Sequence, residues 1–111
     1  MKRVNILGTE YRIIESDAKE KPILKDAAGF CDSSVKEIYI DRRITDKAED
    51  SKANLESVKR KVLRHEIIHA FFSESGLEEQ SDYAVNEELV DWIAIQYPKI
   101  NDAFRSLGID T

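Results

Sequence analysis

Short runs of apolar and polar positions near the start of the chain predict β-structure. Residues 4–7 and 11–14 are two β-prone runs on either side of Gly8-Thr9-Glu10, the pattern of an N-terminal hairpin. The charged stretch 15–28 that follows contains Pro22 and predicts a loop or a loop with one helical turn. The first part of the chain is therefore expected to begin as an antiparallel sheet.

A second pair of strands is predicted at residues 29–32 and 36–41, joined at Ser33-Ser34. In the last of these strands, Ile38 and Ile40 alternate with polar positions and should face one side of the sheet. The residues expected on its opposite face are Glu37, Tyr39 and Asp41. With the hairpin, this pair predicts an N-terminal antiparallel β-sheet.

The hydrophobic period then changes from two to three or four, which predicts a long amphipathic helix. This helix should end near Ser75-Gly76, because glycine commonly supplies the left-handed residue that closes a helix. The positions of its inward stripe are Leu55, Val58, Val62, His65 and His69.

A second helix is predicted after a short polar turn, with Ser81 or Asp82 as its cap and an end near Tyr97, since Pro98 discourages continuation. A last short helix is predicted at residues 101–107. The residues that share one face of the second helix are Ala84, Glu87, Asp91 and Ala94. Together these elements indicate an α+β fold in a single domain spanning residues 1–111.

Composition limits the classes of partner. The 111 residues carry a net charge of −5, and the most basic stretch, 59–64, is flanked by Glu56 and Glu66, so no nucleic-acid partner is expected. No apolar run approaches membrane-spanning length, and the N-terminus becomes polar too early for a signal peptide. Cys31 is the only cysteine, which excludes an internal disulfide. A cytoplasmic protein without a membrane partner is the expectation.

The strongest chemical signal is the run His65-Glu66-Ile67-Ile68-His69, which holds both histidines of the chain. Residues four apart on a helix have Cβ atoms about 5–6 Å apart, so two imidazoles can meet one metal ion. Glu66 lies about 100° around the helix and is free to act on a bound water. The run therefore predicts a catalytic zinc site, which requires a third protein ligand from elsewhere in the chain.

The predicted second helix offers that third ligand. Glu87 and Asp91 are four apart on a face whose other members are small, so this face can approach the histidine stripe closely. Glu87 would then reach the metal, and Asp91 would accept the outer N–H of a histidine ligand. Glu88 is the alternative ligand.

These residues resemble the HExxH…NExxxD pattern of the gluzincin metallopeptidases, the thermolysin-like group. The matching stretches are His65-Glu66-Ile67-Ile68-His69 and Asn86-Glu87-Glu88-Leu89-Val90-Asp91. Residues 87–94 are also similar to a helix of the ImmA/IrrE-type metallopeptidases, many of which are carried by phages and mobile elements. The resemblance covers residues 63–94, under a third of the chain, and implies a small zincin-like domain.

By this resemblance, one zinc ion is bound by His65, His69 and Glu87. Glu66 is the general base that takes a proton from a zinc-activated water, and Asp91 supports the first histidine. The implied activity is hydrolysis of peptide bonds, in a peptide or in one specific protein such as a repressor. A phage or mobile-element origin is part of the same expectation.

The chain also departs from the larger gluzincins, which are similar in this core but carry a further helical domain. Their transition-state-stabilising histidine or tyrosine has no direct counterpart here, and Tyr83 is the first candidate for that role, before Tyr39 and Tyr11. Extended substrate is expected to add to an edge strand beside the active-site helix, with residues 36–41 as the candidate strand.

Two other functions are left open by the sequence. The site could hold zinc without turnover, in a protein-interaction module that works by contacting a partner. The presence of Glu66 favours catalysis over this alternative, because a purely structural site does not require it. A metal-free helical interaction domain would require the motif to be accidental.

Overall fold

A computed structural model describes residues 2–44 and 54–111 of the chain. Within them, the strands are β1 (Lys2–Ile6), β2 (Thr9–Ser16), β3 (Gly29–Asp32) and β4 (Glu37–Asp41). The helices are α1 (Leu55–Glu74), α2 (Leu77–Gln80) and α3 (Glu87–Ser106). Three 3-10 turns cover Pro22–Lys25, Arg42–Ile44 and Asp82–Val85. The predicted α+β class is confirmed.

The four strands form one mixed sheet in the order β1-β2-β4-β3. The predicted hairpin is present, with Leu7 and Gly8 both at positive φ in its turn. However, β4 runs parallel to β2 and lies between β2 and β3, so the prediction of a purely antiparallel sheet was wrong. After β2 the chain passes over one strand position, so that β3 lies at the edge of the sheet. β4 then fills the position between β2 and β3, where it runs parallel to β2.

One face of the sheet packs against α1. Ile38 and Ile40 of β4 point to this face, as predicted from their alternation, and both are buried. Asp41 is also buried although its position was expected to be polar, and Arg43 compensates its charge through two side-chain bonds of 2.9 and 2.7 Å. The buried cluster between the sheet and α1 consists of Ile6, Tyr11, Ile38, Ile40, Val62 and Ala70.

Helix α1 begins and ends much as the sequence predicted. Asn54 caps it by accepting a hydrogen bond from the backbone N–H of Ser57 at 3.0 Å, and Gly76 follows its end with a φ of +84°. The stripe facing the sheet differs from the prediction, because its buried members are Val62, Glu66 and Ala70. The two histidines lie beside this stripe and face α3.

Helix α3 starts later than predicted. Asn86 is its cap and accepts a hydrogen bond from the N–H of Leu89 at 2.8 Å, so neither Ser81 nor Asp82 caps it. Ala84, expected on the ligand-bearing face of this helix, is buried in the preceding 3-10 turn. The cap leaves Glu87 as the first residue of the helix.

The two predicted C-terminal helices are a single helix. Pro98 lies inside α3, which continues to Ser106, so the prediction of a separate helix at residues 101–107 was wrong. Proline removes one backbone donor and is tolerated where another group satisfies the freed carbonyl. Within the described part of the chain, no helix combines the length and apolar character needed to cross a membrane.

Candidate metal centre

The two histidines of α1 converge on one point. Their positions four residues apart bring His65 Nε2 and His69 Nε2 to 3.2 Å, with the rings inclined at 62°. Both side chains are largely buried, with exposed fractions of 15% and 18%. Burial is the main cause that lowers the pKa of His69, which favours the neutral, metal-binding form of the imidazole.

Glu87 reaches both imidazoles from α3. Its Oε2 lies 3.0 Å from His65 Nε2, and its Oε1 lies 2.9 Å from His69 Nε2. The Asn86 cap holds Glu87 in the first turn of the helix, where the backbone dipole favours a carboxylate. Glu88, the alternative ligand, is the next residue of α3. Its side chain is exposed and makes no hydrogen bond or ion pair with either histidine. The structure therefore brings together the three residues that the sequence selected.

The spacing of these atoms fits a divalent zinc ion. Nitrogen and oxygen ligands at about 2.0–2.2 Å from tetrahedral zinc lie about 3.3 Å from one another. In the site, the two Nε2 atoms are 3.2 Å apart, His65 Nε2 lies 3.0 Å from Glu87 Oε2, and His69 Nε2 lies 2.9 Å from Glu87 Oε1. Two imidazole nitrogens and a carboxylate that converge in this way can share a divalent cation, and the same contacts also form when imidazole N–H groups donate to the carboxylate. Other divalent metals accept the same ligand set.

Asp91 orients the first histidine from one turn further along α3. Its Oδ1 lies 3.1 Å from His65 Nδ1 and 3.0 Å from Lys61 Nζ. Because a carboxylate only accepts, Nδ1 is the donor in the contact with Asp91, an arrangement that would leave Nε2 available to a metal ion. The Lys61 bond is the main cause that holds the pKa of Asp91 below its ordinary value, so the acceptor stays ionised. The contact of Lys61 with Asp91 was not predicted from the sequence.

Glu66 occupies a different environment from its histidine neighbours. It lies on the sheet-facing stripe with an exposed fraction of 7%, and a carboxylate oxygen lies within 4.8 Å of the histidine ligand atoms. Burial raises the pKa of Glu66 to about 7, with opposing contributions from His65, which lowers it, and Glu87, which raises it. Among the described residues, none donates a hydrogen bond to this carboxylate. Glu66 is thus able to hold or release a proton near neutral pH.

Gly29 allows the sheet to approach Glu66 closely. A Cβ added at Gly29 would lie 2.9 Å from Val62 Cγ1, 3.0 Å from Glu66 Cγ and 3.1 Å from Glu66 Oε2. Any side chain there would displace β3 or the carboxylate. Sequence reasoning did not single out this residue, and its only signal was a glycine at the start of a predicted strand.

Two clefts border the ligand atoms. One, of about 250 Å³, lies between Glu66 and His69 on one side and β3 on the other. The second, of about 210 Å³, lies on the side of His65 and Asp91. A larger cavity of about 580 Å³, beside β2 and the first half of α1, is lined by neither histidine. The first cleft is lined by Ile23, Ala27, Gly29, Phe30, Cys31, Ser33, Glu66, His69, Glu78 and Glu87.

The strand beside this cleft is not the one that was predicted. Residues 36–41 were the candidate edge strand, but β4 pairs with β2 on one side and with β3 on the other. The free edge on this side of the sheet belongs to β3, Gly29–Asp32. The prediction failed because the parallel pairing of β4 with β2 makes β4 an internal strand.

The tyrosines do not converge on the ligand atoms. Tyr83 is 53% exposed in the 3-10 turn and lines neither cleft beside the histidines. Tyr11 donates to Glu74 at 2.7 Å, and Tyr39 donates to Glu37 at 2.7 Å. Cys31 lines the first cleft, where burial raises the pKa of its thiol to about 12, as suits a small apolar side chain rather than a nucleophile.

Comparison of the chain with protein-family models, with curated proteins and with solved structures finds no match.

Proposed function

We propose that this protein is a zinc-dependent metallopeptidase. The observation that carries the proposal is the convergence of His65 Nε2, His69 Nε2 and the Glu87 carboxylate within 3.2 Å of one another. A buried glutamate, Glu66, lies beside them, and an ionised carboxylate, Asp91, supports the first histidine. Three ligands leave the fourth position of a tetrahedral ion open, as catalytic zinc sites require.

The residues of the chain divide the chemistry among them. Bound zinc would supply Lewis-acid character, which acidifies a water molecule and polarises a scissile carbonyl. His65, His69 and Glu87 would hold the ion, and Asp91 would keep His65 in the tautomer that binds it. The carboxylate of Glu66 would accept the proton from water and later donate it to the leaving amine, which suits a pKa near 7.

The substrate in this proposal is an extended peptide or a flexible segment of a protein. The exposed edge of β3 borders the cleft that contains Glu66 and His69. An extended segment could pair with this edge by main-chain hydrogen bonds and bring a peptide bond over the metal. The small volume of the cleft, about 250 Å³, supports action on one particular protein, such as a repressor, more than broad digestion.

The first test is the metal content of the purified protein and of two ligand variants, His65→Ala and Glu87→Ala. We expect about one zinc per chain in the wild type and a loss of tightly held zinc in both variants, because two ligands remain in each. Glu88→Ala is the matched control and should retain zinc. A wild-type protein that stays metal-free after reconstitution would contradict the proposal.

The second test separates catalysis from binding. A diverse peptide mixture is incubated with zinc-loaded wild type and with Glu66→Gln, and new termini are identified by mass spectrometry. We expect cleavage by the wild type, and a rate at least about a hundredfold lower for Glu66→Gln, with zinc retained. Equal cleavage by both proteins would point to a contaminating peptidase and remove Glu66 from the proposed mechanism.

A catalytically silent zinc-binding interaction module is the second candidate. The observation that favours it is the set of large apolar side chains exposed on and after α3, which includes Trp92, Phe104, Leu107 and Ile109. Such side chains are typical of surfaces that contact a partner. If this function is correct, Glu66→Gln should bind zinc and retain the full biological effect.

A further inference from the structure

Pro98 creates an unusual acceptor inside α3. In a regular helix, the N–H of residue 98 would donate to the carbonyl of Ala94, four residues earlier. Proline has no N–H, so this carbonyl loses its intrahelical partner. Ala94 is fully buried, and an unpaired carbonyl there would carry the full cost of desolvation. The acceptor therefore needs a donor from outside the helix.

Arg64 of α1 is that donor. Its Nε donates to the carbonyl oxygen of Ala94 at 2.6 Å. The guanidinium is charged at all physiological pH values, and a charged donor makes a stronger hydrogen bond than a neutral one. Arg64 thus replaces the missing N–H and also joins α3 to α1. It is the residue immediately before His65 in the sequence.

The bond lies on the face of α3 that carries the proposed metal residues. Glu87, Asp91, Ala94 and Pro98 recur at spacings of four, three and four along one side of the helix. The other hydrogen bonds and ion pairs between α1 and α3 in the described residues all end on Glu87 or Asp91. The Arg64 bond is therefore independent of the proposed metal ligands and of their protonation.

We propose that Arg64 is a positioning residue that holds the Glu87-bearing helix against the histidine-bearing helix through the carbonyl freed by Pro98. This inference rests on the metal site proposed above. Arg64 touches neither the ligand atoms nor the clefts beside them. Its effect on zinc affinity would come from the distance and orientation between two helices whose ligand atoms must meet within a few tenths of an ångström.

Four proteins test the inference: Arg64→Met, Pro98→Ala, the double variant, and Arg60→Met as the matched control. Arg60 lies one turn earlier on α1, is exposed and makes only a surface ion pair with Glu56. Zinc affinity is measured by competition with a chromophoric chelator, and the unfolding midpoint is measured with excess EDTA. The absorption spectrum of the cobalt-loaded protein reports the ligand geometry directly.

We expect Arg64→Met to weaken zinc affinity about tenfold, as losses of supporting contacts at metal sites commonly do, and to lower the metal-free unfolding midpoint. In the Pro98→Ala background, the new N–H satisfies Ala94, so the arginine substitution should cost little stability. Zinc affinity should nevertheless remain about tenfold weaker in the double variant than in Pro98→Ala alone, because the link to α1 is lost in both backgrounds.

Recovery of zinc affinity together with stability in the double variant would overturn the positioning role and leave Arg64 with a folding role alone. The positioning role would also be overturned if Arg64→Met bound zinc as tightly as Arg60→Met does. If neither the wild type nor Arg60→Met binds zinc, the proposed metal site itself fails, and the positioning role fails with it. The wild type and Arg60→Met test whether the proposed metal site binds zinc, and the Arg64 variants test whether the Arg64–Ala94 hydrogen bond supports it. Failure of the metal site is therefore distinguishable from failure of the positioning role.

Discussion

His65 and Glu66 are adjacent in the sequence but face different parts of the molecule. The 100° step between helix neighbours turns His65 toward α3, whereas Glu66 faces the sheet and is nearly covered. Burial separates their chemistry, because it raises the pKa of the Glu66 carboxyl to about 7. Two consecutive residues thus take the two roles proposed for them, His65 as a metal ligand and Glu66 as a proton acceptor.

The close contact at Gly29 gives a prediction at this scale. Gly29→Ala would place a methyl group 2.9 Å from Val62 Cγ1 and 3.0 Å from Glu66 Cγ, so β3 or Glu66 must move. We expect a loss of about 1–3 kcal/mol in the free energy of unfolding, as in other overpacked sites. Under the proposed mechanism, peptide hydrolysis should fall by more than zinc affinity, since the contact bears on Glu66 and not on the proposed zinc ligands. Urea unfolding, zinc competition and peptide cleavage measure the three quantities.

The control for this variant is Gly76→Ala. Gly76 has a φ of +84°, and an added Cβ would meet no atom within 4 Å, so the cost there is backbone strain of about 1–2 kcal/mol. This change should reduce stability without a selective effect on hydrolysis. A Gly29→Ala protein with wild-type stability and activity would show that the contact relaxes freely.

At the scale of single elements, the start of α3 determines where Glu87 lies. The Asn86 side chain accepts from the N–H of Leu89 and holds the first turn of the helix in place. Because Glu87 is the first helical residue, fraying of that turn would move its carboxylate away from both imidazoles. The cap is therefore expected to affect the proposed metal site as well as the helix.

Two asparagine caps allow this effect to be measured. Asn86→Ala and Asn54→Ala should each cost about 1 kcal/mol in the free energy of unfolding, the usual result of removing a cap. Only Asn86→Ala should also weaken zinc affinity, because Asn54 caps α1 three turns before His65. Equal zinc affinity in the two variants would show that Glu87 is held without the cap. The measurements are urea unfolding of the zinc-free proteins and chelator competition.

At the scale of the whole molecule, Glu74 ties the end of α1 to the sheet. Its carboxylate accepts from Lys36 and Tyr11, each at 2.7 Å, and from Thr9 at 3.3 Å. The Lys36 bond is the main cause that lowers the pKa of Glu74 below its ordinary value. These contacts connect β2 and Lys36, the residue before β4, to the helix that carries the histidines.

This network predicts a component of acid sensitivity. A carboxyl whose pKa is lower in the folded state stabilises the fold above its unfolded pKa, which is near 4.5. That stabilisation is lost as the pH falls from this value through the lowered folded pKa. Glu74→Gln should therefore be less stable than wild type at neutral pH, and the difference should shrink as the pH falls below 4.5. Urea unfolding of metal-free protein across this range measures it.

Glu79→Gln is the matched control, since Glu79 is exposed on the next helical turn and changes the net charge equally. The difference in the free energy of unfolding between Glu79→Gln and the wild type should not shrink as the pH falls below 4.5. A Glu74→Gln difference that stays constant from neutral to acid pH would exclude the network as its cause.

Much of the architecture was predictable because local rules decide it. Alternation along 36–41 placed Ile38 and Ile40 on one face of the strand, and the three-and-four spacing identified α1 with its glycine stop. The choice of Glu87 and Asp91 also came from spacing, since helical periodicity places residues four apart on one face. These inferences required only the order of residues along the chain.

Sequence by itself determined which residues share a strand face or a helix face, because those relations depend on backbone periods that are the same in every protein. Tertiary structure alone decided that β4 lies inside the sheet, that β3 forms its edge, and that Gly29 contacts Glu66. It also decided that α3 runs through Pro98, since the carbonyl freed by proline is satisfied by Arg64, 30 residues away in the chain. Such outcomes depend on long-range partners, which no local period specifies.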